Sequence, residues 1–325
     1  MEYIKNDSGI IEGIAFATKA NSLDIDKIEA LLADKIAIGY IDFSSPQEKS
    51  FWVKLNGLLA THPYIRLSFN NAQGWGTWKD LSFLENLTHA HILTINEWLL
   101  EDLSPISSLV SIKRLAFIND AFKSSKVSLA PLHTLKNLED LSCSGKLKGI
   151  EVISHFTKLE KLSHYAMGKG SLEYLQNNHA LKKIYLRGSD GICDFSGLGH
   201  LKHLEEMTLI RNYKIENLDF LTALKSVKKL YISDFNKIQT LPSLALEELK
   251  ELRLVTLKNI KQLQGIADAI NLEELSIYAG SKALVPSDLW FIERLKKLRV
   301  LNVRFDNAHD QEEFNAFRKS ISLES

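Results

Sequence analysis

Histidine, cysteine and glycine are the residues of this chain most able to do chemistry, and their spacing decides whether they do. His200 and His203 stand three apart, which puts two imidazoles on one side of a helical turn, but no Cys, Asp or Glu accompanies them in a metal-site pattern. They read as solvated residues, and no metal is expected. Gly168-Lys169-Gly170 lacks the spacing and the following Ser or Thr of a phosphate cradle. The chain has two cysteines, Cys143 and Cys193. Both read as small buried thiols in a reducing setting. No Ser/His/Asp or Cys/His set can be assembled, so no catalytic residue and no cofactor is expected.

The elements that carry these residues follow from a repeated phrase, L-x-x-L-x-x-L-x-L. It reads LKNLEDLSC at 135–143, LKHLEEMTL at 201–209, LKSVKKLYI at 224–232 and LEELKELRL at 246–254, with six more versions along the chain. The residue two before its end forms the series Leu93, Leu115, Leu141, Leu162, Ile184, Met207, Leu230, Leu252, Leu275, Leu301, at intervals of 21 to 26 residues. A fixed period of this size marks a repeat architecture. Nine residues earlier a second apolar residue recurs (Leu84, Ile106, Leu132, Ile153, Leu175, Leu198, Leu221, Ile266) inside lead-ins such as DLSPI and NLDFL. From there apolar residues fall every third position, which suits a short helical turn. The period then becomes two, which suits a strand. In this frame the two cysteines lie two coils apart, roughly 10 Å at strand spacing, beyond the reach of a disulfide. His164 takes an inward strand position and reads as a buried imidazole.

These residues resemble the leucine-rich repeat family, and the rhythm is similar to the 22-residue internalin and SDS22-like class, over about residues 80–305. The resemblance implies an α/β leucine-rich repeat solenoid, a horseshoe with a parallel β-sheet on the concave face and short helical or 3₁₀ turns on the convex face. It also implies a binding scaffold. One departure stands out. Where the family usually has a corner Asn, this chain has Trp98, Asp120, Lys146, Met167, Ser189, Asn212, Phe235, Leu257, Gly280 and Asp306. Only Asn212 matches, so the other corner amides need different partners.

Residues 1–80 are expected to form an α-richer cap with irregular first coils, continuous with repeats over 81–305. Asp24–Ala33 reads as an amphipathic helix, 36–43 as a strand, Ser45-Pro46-Gln47-Glu48 as a capping box opening a helix, and Tyr64–Phe69 as a strand. Ile36 and Ile65 are the expected anchors of these coils. NAQGWGTWKD (71–80) places Trp75 and Trp78 on a glycine-rich loop. They are a secondary candidate for anchoring a partner, against the alternative that both fold back over the first coils. Residues 306–325 hold a helix with Phe314, Phe317 and Ile321 on one side, a cap for the open end of the core.

Strand positions between and after the inward residues face the concave side. There the chain places Tyr165, Tyr185, Arg187, Tyr231, Arg253, Tyr278 and Arg304. Tyr and Arg are enriched at binding hot spots, and cross-strand stacking is the structural alternative. Neighbouring coils alternate in charge (Lys182-Lys183, Glu205-Glu206, Lys228-Lys229, Lys250-Glu251, Glu273-Glu274), which reads as a ladder of surface ion pairs. Forty basic and forty acidic residues cancel, which argues against a dedicated nucleic-acid binder. No secretory signal or membrane span is visible. The expected protein is therefore a non-catalytic, cytoplasmic scaffold, monomeric when free, that binds a protein partner through its concave face as an inhibitor or toxin-immunity type protein. An exported effector or adhesin of internalin type is the alternative, and an enzyme with an unrecognised site is the third class.

Overall fold

The computed structural model describes residues 2–5, 11–16, 25–33, 38–70, 77–118, 127–166 and 169–321. The chain forms two compact units, residues 1–159 and 160–325. The boundary falls inside the repeat series.

In the first unit β1 (Glu2–Lys5) pairs antiparallel with β2 (Ile11–Phe16). Parallel pairing then runs through β3 (Tyr40–Phe43), β4 (Arg66–Asn70), β5 (Ile92–Asn96), β6 (Arg114–Ile118) and β7 (Asp140–Ser144). The two wide N-terminal coils cross over through true helices, α1 (Ile25–Ala33) and α2 (Lys49–Thr61). Later coils use 3₁₀ turns at Ser82–Asn86, Ser104–Ser108, Ala130–Thr134 and Ile150–His155. Coil length alone does not set the change: the coils into β3 and β4 repeat at 27 and 26 residues and form helices, yet the coils into β5 and β7 also repeat at 26 and form 3₁₀ turns. An α-helix is broader than a 3₁₀ turn, and aromatic side chains fill the extra width. Phe43 stacks on Phe69 at 5.2 Å, Trp52 on Phe83 at 4.7 Å, and Trp78 meets Phe69 edge-on at 4.9 Å.

Three N-terminal expectations need correction. The row that continues into Leu93 is Ile41–Leu67, so Ile65 is not the anchor, and Ile36 lies outside the described residues. A two-residue slip keeps every side chain on its face, because strands repeat every two residues. The reading therefore had the faces right and the rows wrong. The helix expected to open at Pro46 begins at Lys49, and Glu48 at its N-cap makes no side-chain cap bond. Gln47 Nε2 instead donates to the Ser45 carbonyl at 3.0 Å, holding 45–47 in a turn ahead of the helix. Trp78 is fully buried. Its indole donates to the Asn70 carbonyl at 3.1 Å and its amide to Glu97 at 3.0 Å. Trp78 belongs to the core and not to an exposed binding loop; Trp75 lies outside the described residues.

The second unit carries β8 (Lys161–Tyr165), β10 (Lys183–Arg187), β12 (Glu206–Ile210), β13 (Lys229–Ser233), β14 (Glu251–Val255), β15 (Glu274–Tyr278) and β16 (Val300–Val303), all parallel. Two short strands, β9 (Lys169–Ser171) and β11 (Gly191–Asp194), form a separate parallel pair. The register aligns Leu162, Ile184, Met207, Leu230, Leu252, Leu275 and Leu301 as one buried row. In the first unit Leu93, Leu115 and Leu141 align in the same way. His164 pairs with Leu186 and is fully buried. The lead-in residues prove to be turn formers: the carboxylates of Asp80, Asp102 and Asp194 each accept the amide two residues on at 2.8 Å. Those bonds hold the Asp80 and Asp194 carboxyls below their ordinary range.

One coil breaks the pattern. Ser243 stands nine before Leu252, where other coils have Leu or Ile, and no helical turn forms between β13 and β14. The extended chain bonds sideways instead, Leu244 N donating to the Gly265 carbonyl at 2.8 Å. A Cβ on Gly265 would come 2.1 Å from the Pro242 carbonyl oxygen, so only glycine fits.

Most corners are closed by backbone, the one that holds Asn212 included. Ala166, Arg211, Asp234 and Thr256 have φ of 55°, 65°, 60° and 52°, all four residues after their anchor. Gly145 and Gly188 take the same turn in their coils. This conformation lets the ladder continue past the strand: Arg211 N donates to Ser233 O, Asp234 N to Val255 O and Thr256 N to Tyr278 O, at 2.8 to 3.0 Å. Phe235 and Leu257 then fill the corner with buried apolar side chains. Asn212, after the left-handed Arg211, adds side-chain bonds to its corner and is fully buried. Its Nδ2 donates to the Ser189 carbonyl at 2.9 Å and its Oδ1 accepts from Lys214 and Ile215 amides at 3.0 Å. The C-terminal helix α3 (Ala308–Ser320) packs on the 3₁₀ segment Pro286–Arg294, with Phe314 buried.

Two substitutions test this backbone account with opposite signs. Gly265→Ala drives a methyl into the neighbouring coil and is expected to destabilise by about 2 kcal/mol or more. Thr256→Gly relieves a β-branched residue of a left-handed conformation that costs roughly 1–2 kcal/mol, less the ~0.5–1 kcal/mol entropy of glycine, and is expected to be neutral to stabilising. Urea melts of both variants decide the point; a loss of stability in Thr256→Gly contradicts it.

Candidate functional site

The open face of the second unit's sheet carries the strand side chains that alternate with the buried rows. Tyr165, Arg187, Arg253, Tyr278 and Arg304 are exposed, and Tyr185 and Tyr231 are half-buried. The structure gathers these residues into two groups. Tyr165 and Tyr185 lie on adjacent strands with ring centroids 5.1 Å apart, and Arg187 pairs in register with Tyr165. Burial raises the Tyr165 hydroxyl's pKa, Tyr185 adds to the rise, and Arg187 opposes it. Tyr231, Arg253 and Tyr278 line a depression of about 570 Å³ together with Thr208, Val255, Ser276 and Asn302. Arg304 follows β16, its amide donating to the Ile277 carbonyl at 3.0 Å.

Two further lining residues, Lys229 and Glu251, belong by sequence to the charge ladder and not to the concave-face set. They sit one position before the inward leucines, in a row that reads as generic surface charge. In the structure Glu251 is a hub: Lys229 Nζ approaches it at 3.1 Å and Arg253 Nε at 2.7 Å. Its bond to Glu251 holds Lys229's pKa above the usual lysine range. Ser233 shares this face but is buried, its hydroxyl donating to the Asp234 carboxylate at 2.9 Å. The expected charge ladder is present beside the face, with Lys182–Glu160, Lys183–Glu206 and Lys228–Glu205 at 2.8 to 2.9 Å and Lys250–Glu273 at 3.3 Å. These pairs are solvent-exposed and individually worth little. The first unit's open face has a different character. Arg66 stacks over the Tyr40 ring at 4.9 Å, and Asn70 bonds Asp42 and Asn96.

The remaining chemical candidates are scattered. His200 and His203 are exposed beside an outer turn, and Gly168 lies outside the described residues. His309, Asp310 and Glu313 come together in the first turn of α3, a segment the sequence marks only as a cap. Cys143 is buried, and burial pushes its thiol up to about 12, which removes it as a nucleophile. Cys193 departs from expectation: it is exposed. In β11 the inward residue is Ile192, and strand alternation turns Cys193 outward, with Sγ 3.7 Å from the Gly170 carbonyl. The assumption that both thiols hold core positions misplaced it.

No family model matches the chain, and no curated protein matches it in sequence. Solved structures do. An internalin of Listeria monocytogenes aligns with a TM-score of 0.50 and 19% identity, over 75% of this chain and 76% of that one. Internalin C2 of the same organism aligns with a TM-score of 0.50 and 21% identity, over 61% of this chain and 83% of its own. A leucine-rich repeat protein of Leptospira interrogans aligns at 0.45 and 16% identity, over 89% and 90%. The internalin likeness and the coil-by-coil register agree: the chain has the leucine-rich repeat solenoid fold, with a parallel sheet and 3₁₀ turns. Among the described residues no helix is long and apolar enough to cross a membrane.

The cysteine placement is directly testable. Alkylation of the native protein is expected to modify Cys193 alone, and alkylation after unfolding without reductant to modify both thiols. Intact mass reads the count, and native protection of Cys193 would contradict the geometry of β11.

Proposed function

We propose that the chain is a non-catalytic scaffold that binds a protein partner on the open face of its second unit, around Tyr185, Arg187, Tyr231, Arg253 and Tyr278. The observation that carries this reading is the depression lined by Tyr231, Arg253 and Tyr278. Tyrosine offers a large contact area with little rotamer entropy to lose, and arginine adds directed hydrogen bonds. The side chains stand on neighbouring strands tied by a continuous hydrogen-bond ladder, so little ordering cost is left for binding. An inhibitor, an immunity factor and a regulatory subunit would use such a face alike; the partner's identity separates them.

The experiment begins with capture of the partner from native lysate and its identification by mass spectrometry. Calorimetry then compares the wild-type chain with Tyr231→Ala/Arg253→Ala. The double variant is expected to fold normally by circular dichroism, since neither side chain fills the core, and to weaken binding by at least about 2 kcal/mol. Full affinity in the folded double variant would move the site off this face.

A further inference from the structure

We propose that the partner segment is acidic, and that one of its carboxylates seats between Lys229 and Arg253. This rests on the reading of the open face as the binding surface. Charge is distributed unevenly over this face. Acids on this face stand one position before the buried anchors, at Glu206, Glu251 and Glu274. The two central rows of side chains, from Tyr165 to Arg304, hold three arginines and no carboxylate.

The two acids that line the depression, Glu206 and Glu251, are already committed. Glu206 meets Lys183 at 2.9 Å. Glu251 serves Lys229 and Arg253 together, one negative charge against two positive. Its side chain is 17% exposed against 58% for Lys229 and 54% for Arg253, so the carboxylate is the covered member and the cations are the accessible ones. Arg253 engages Glu251 through Nε, which leaves the two terminal guanidinium nitrogens as an outward fork for a second carboxylate. Among the described residues neither Arg187 nor Arg304 enters an ion pair within 4.0 Å.

Spacing shapes the ligand. Arg187 and Arg253 stand on β10 and β14, three strand steps apart, and Arg187 lies in register with Val255, two residues further along than Arg253; together these put them about 16 Å apart. Arg253 and Arg304 are two steps apart with the same offset, about 12 Å. An extended segment laid obliquely across the strands advances about 3.3 Å per residue, so its acids would fall about five and then about four residues apart. Tyr231 and Tyr278, with half-buried Ile210 and Val255 between the arginines, favour apolar or aromatic residues between those acids. A nucleic acid fits less well, because a phosphate chain along this face would also run beside Glu206 and Glu274.

The test uses the full chain and four fluorescent probes: a twelve-residue peptide with glutamates at that spacing and tyrosines between them, the same peptide with glutamine or with lysine in place of glutamate, and a single-stranded oligothymidine. Anisotropy is expected to show the glutamate peptide binding about tenfold or more tighter than the glutamine version, weakening as salt is raised. Arg187→Glu/Arg304→Glu should lose that preference and gain affinity for the lysine peptide; these residues make no ion pair to break, so the fold should persist by circular dichroism. Arg253→Gln should reduce the preference as well. Equal binding of the glutamate and glutamine peptides would overturn the charge assignment, and tighter binding of oligothymidine would replace it with a nucleic-acid ligand. If no peptide binds while Tyr231→Ala/Arg253→Ala still weakens the captured partner, the acidic-segment proposal fails and the scaffold reading stands. If that double variant leaves the captured partner unaffected, the scaffold reading itself fails.

Discussion

The second unit depends on what happens to one backbone amide per coil where the strand ends. That amide must bond, because a buried N–H without a partner costs about 1–3 kcal/mol. In most coils, that of Asn212 included, the residue four past the anchor turns into the left-handed region, and its amide donates to the next coil. Asn212 adds a side-chain closure just after it, accepting the Lys214 and Ile215 amides. Four of the left-handed residues are not glycine, at a conformational cost of roughly 1–2 kcal/mol each. The ladder bond and the Phe235 and Leu257 side chains packed behind it offset that cost.

A closed corner is also what makes the open face a defined surface. With hydrogen bonds running from strand into turn, neighbouring coils cannot slip past one another, and a slip of one residue would exchange the leucine row for the tyrosine row. The face therefore inherits the rigidity of the core: Tyr231 and Arg253 sit opposite one another because Leu230 and Leu252 do. Charge follows the same geometry. Register brings Lys229 beside Glu251, and Glu251 in turn orients Arg253.

The period of the leucines made the repeat class and the inward rows legible, since each inward position holds an apolar residue that has few other uses. The outward tyrosines and arginines followed by alternation. Three features did not follow, for separate reasons. Left-handed corners at Ala166, Arg211, Asp234 and Thr256 are invisible because none of these residues advertises positive φ in the way glycine does. The N-terminal rows were misassigned because Ile65 and Leu67 are both apolar and both buried, and only pairing chooses between them. Cys193 was misplaced because β11 belongs to a second small sheet with its own alternation, outside the leucine frame. The hub at Glu251 needs side-chain geometry; its sequence neighbours Lys250 and Leu252 give no hint that two cations converge on it.

Coil length varies while strand register does not. The coil from Leu275 to Leu301 is among the longest of the repeats, and its surplus residues enlarge the outer turn to the nine-residue segment Pro286–Arg294 while Leu275 still pairs with Leu301. The coil before Leu252 dispenses with its helical turn and still keeps Leu230 beside Leu252. Growth and loss on the outer side are thus mechanically insulated from the face that carries the tyrosines. Such a chain can drift in length on one side and exchange side chains on the other as two nearly independent inheritances.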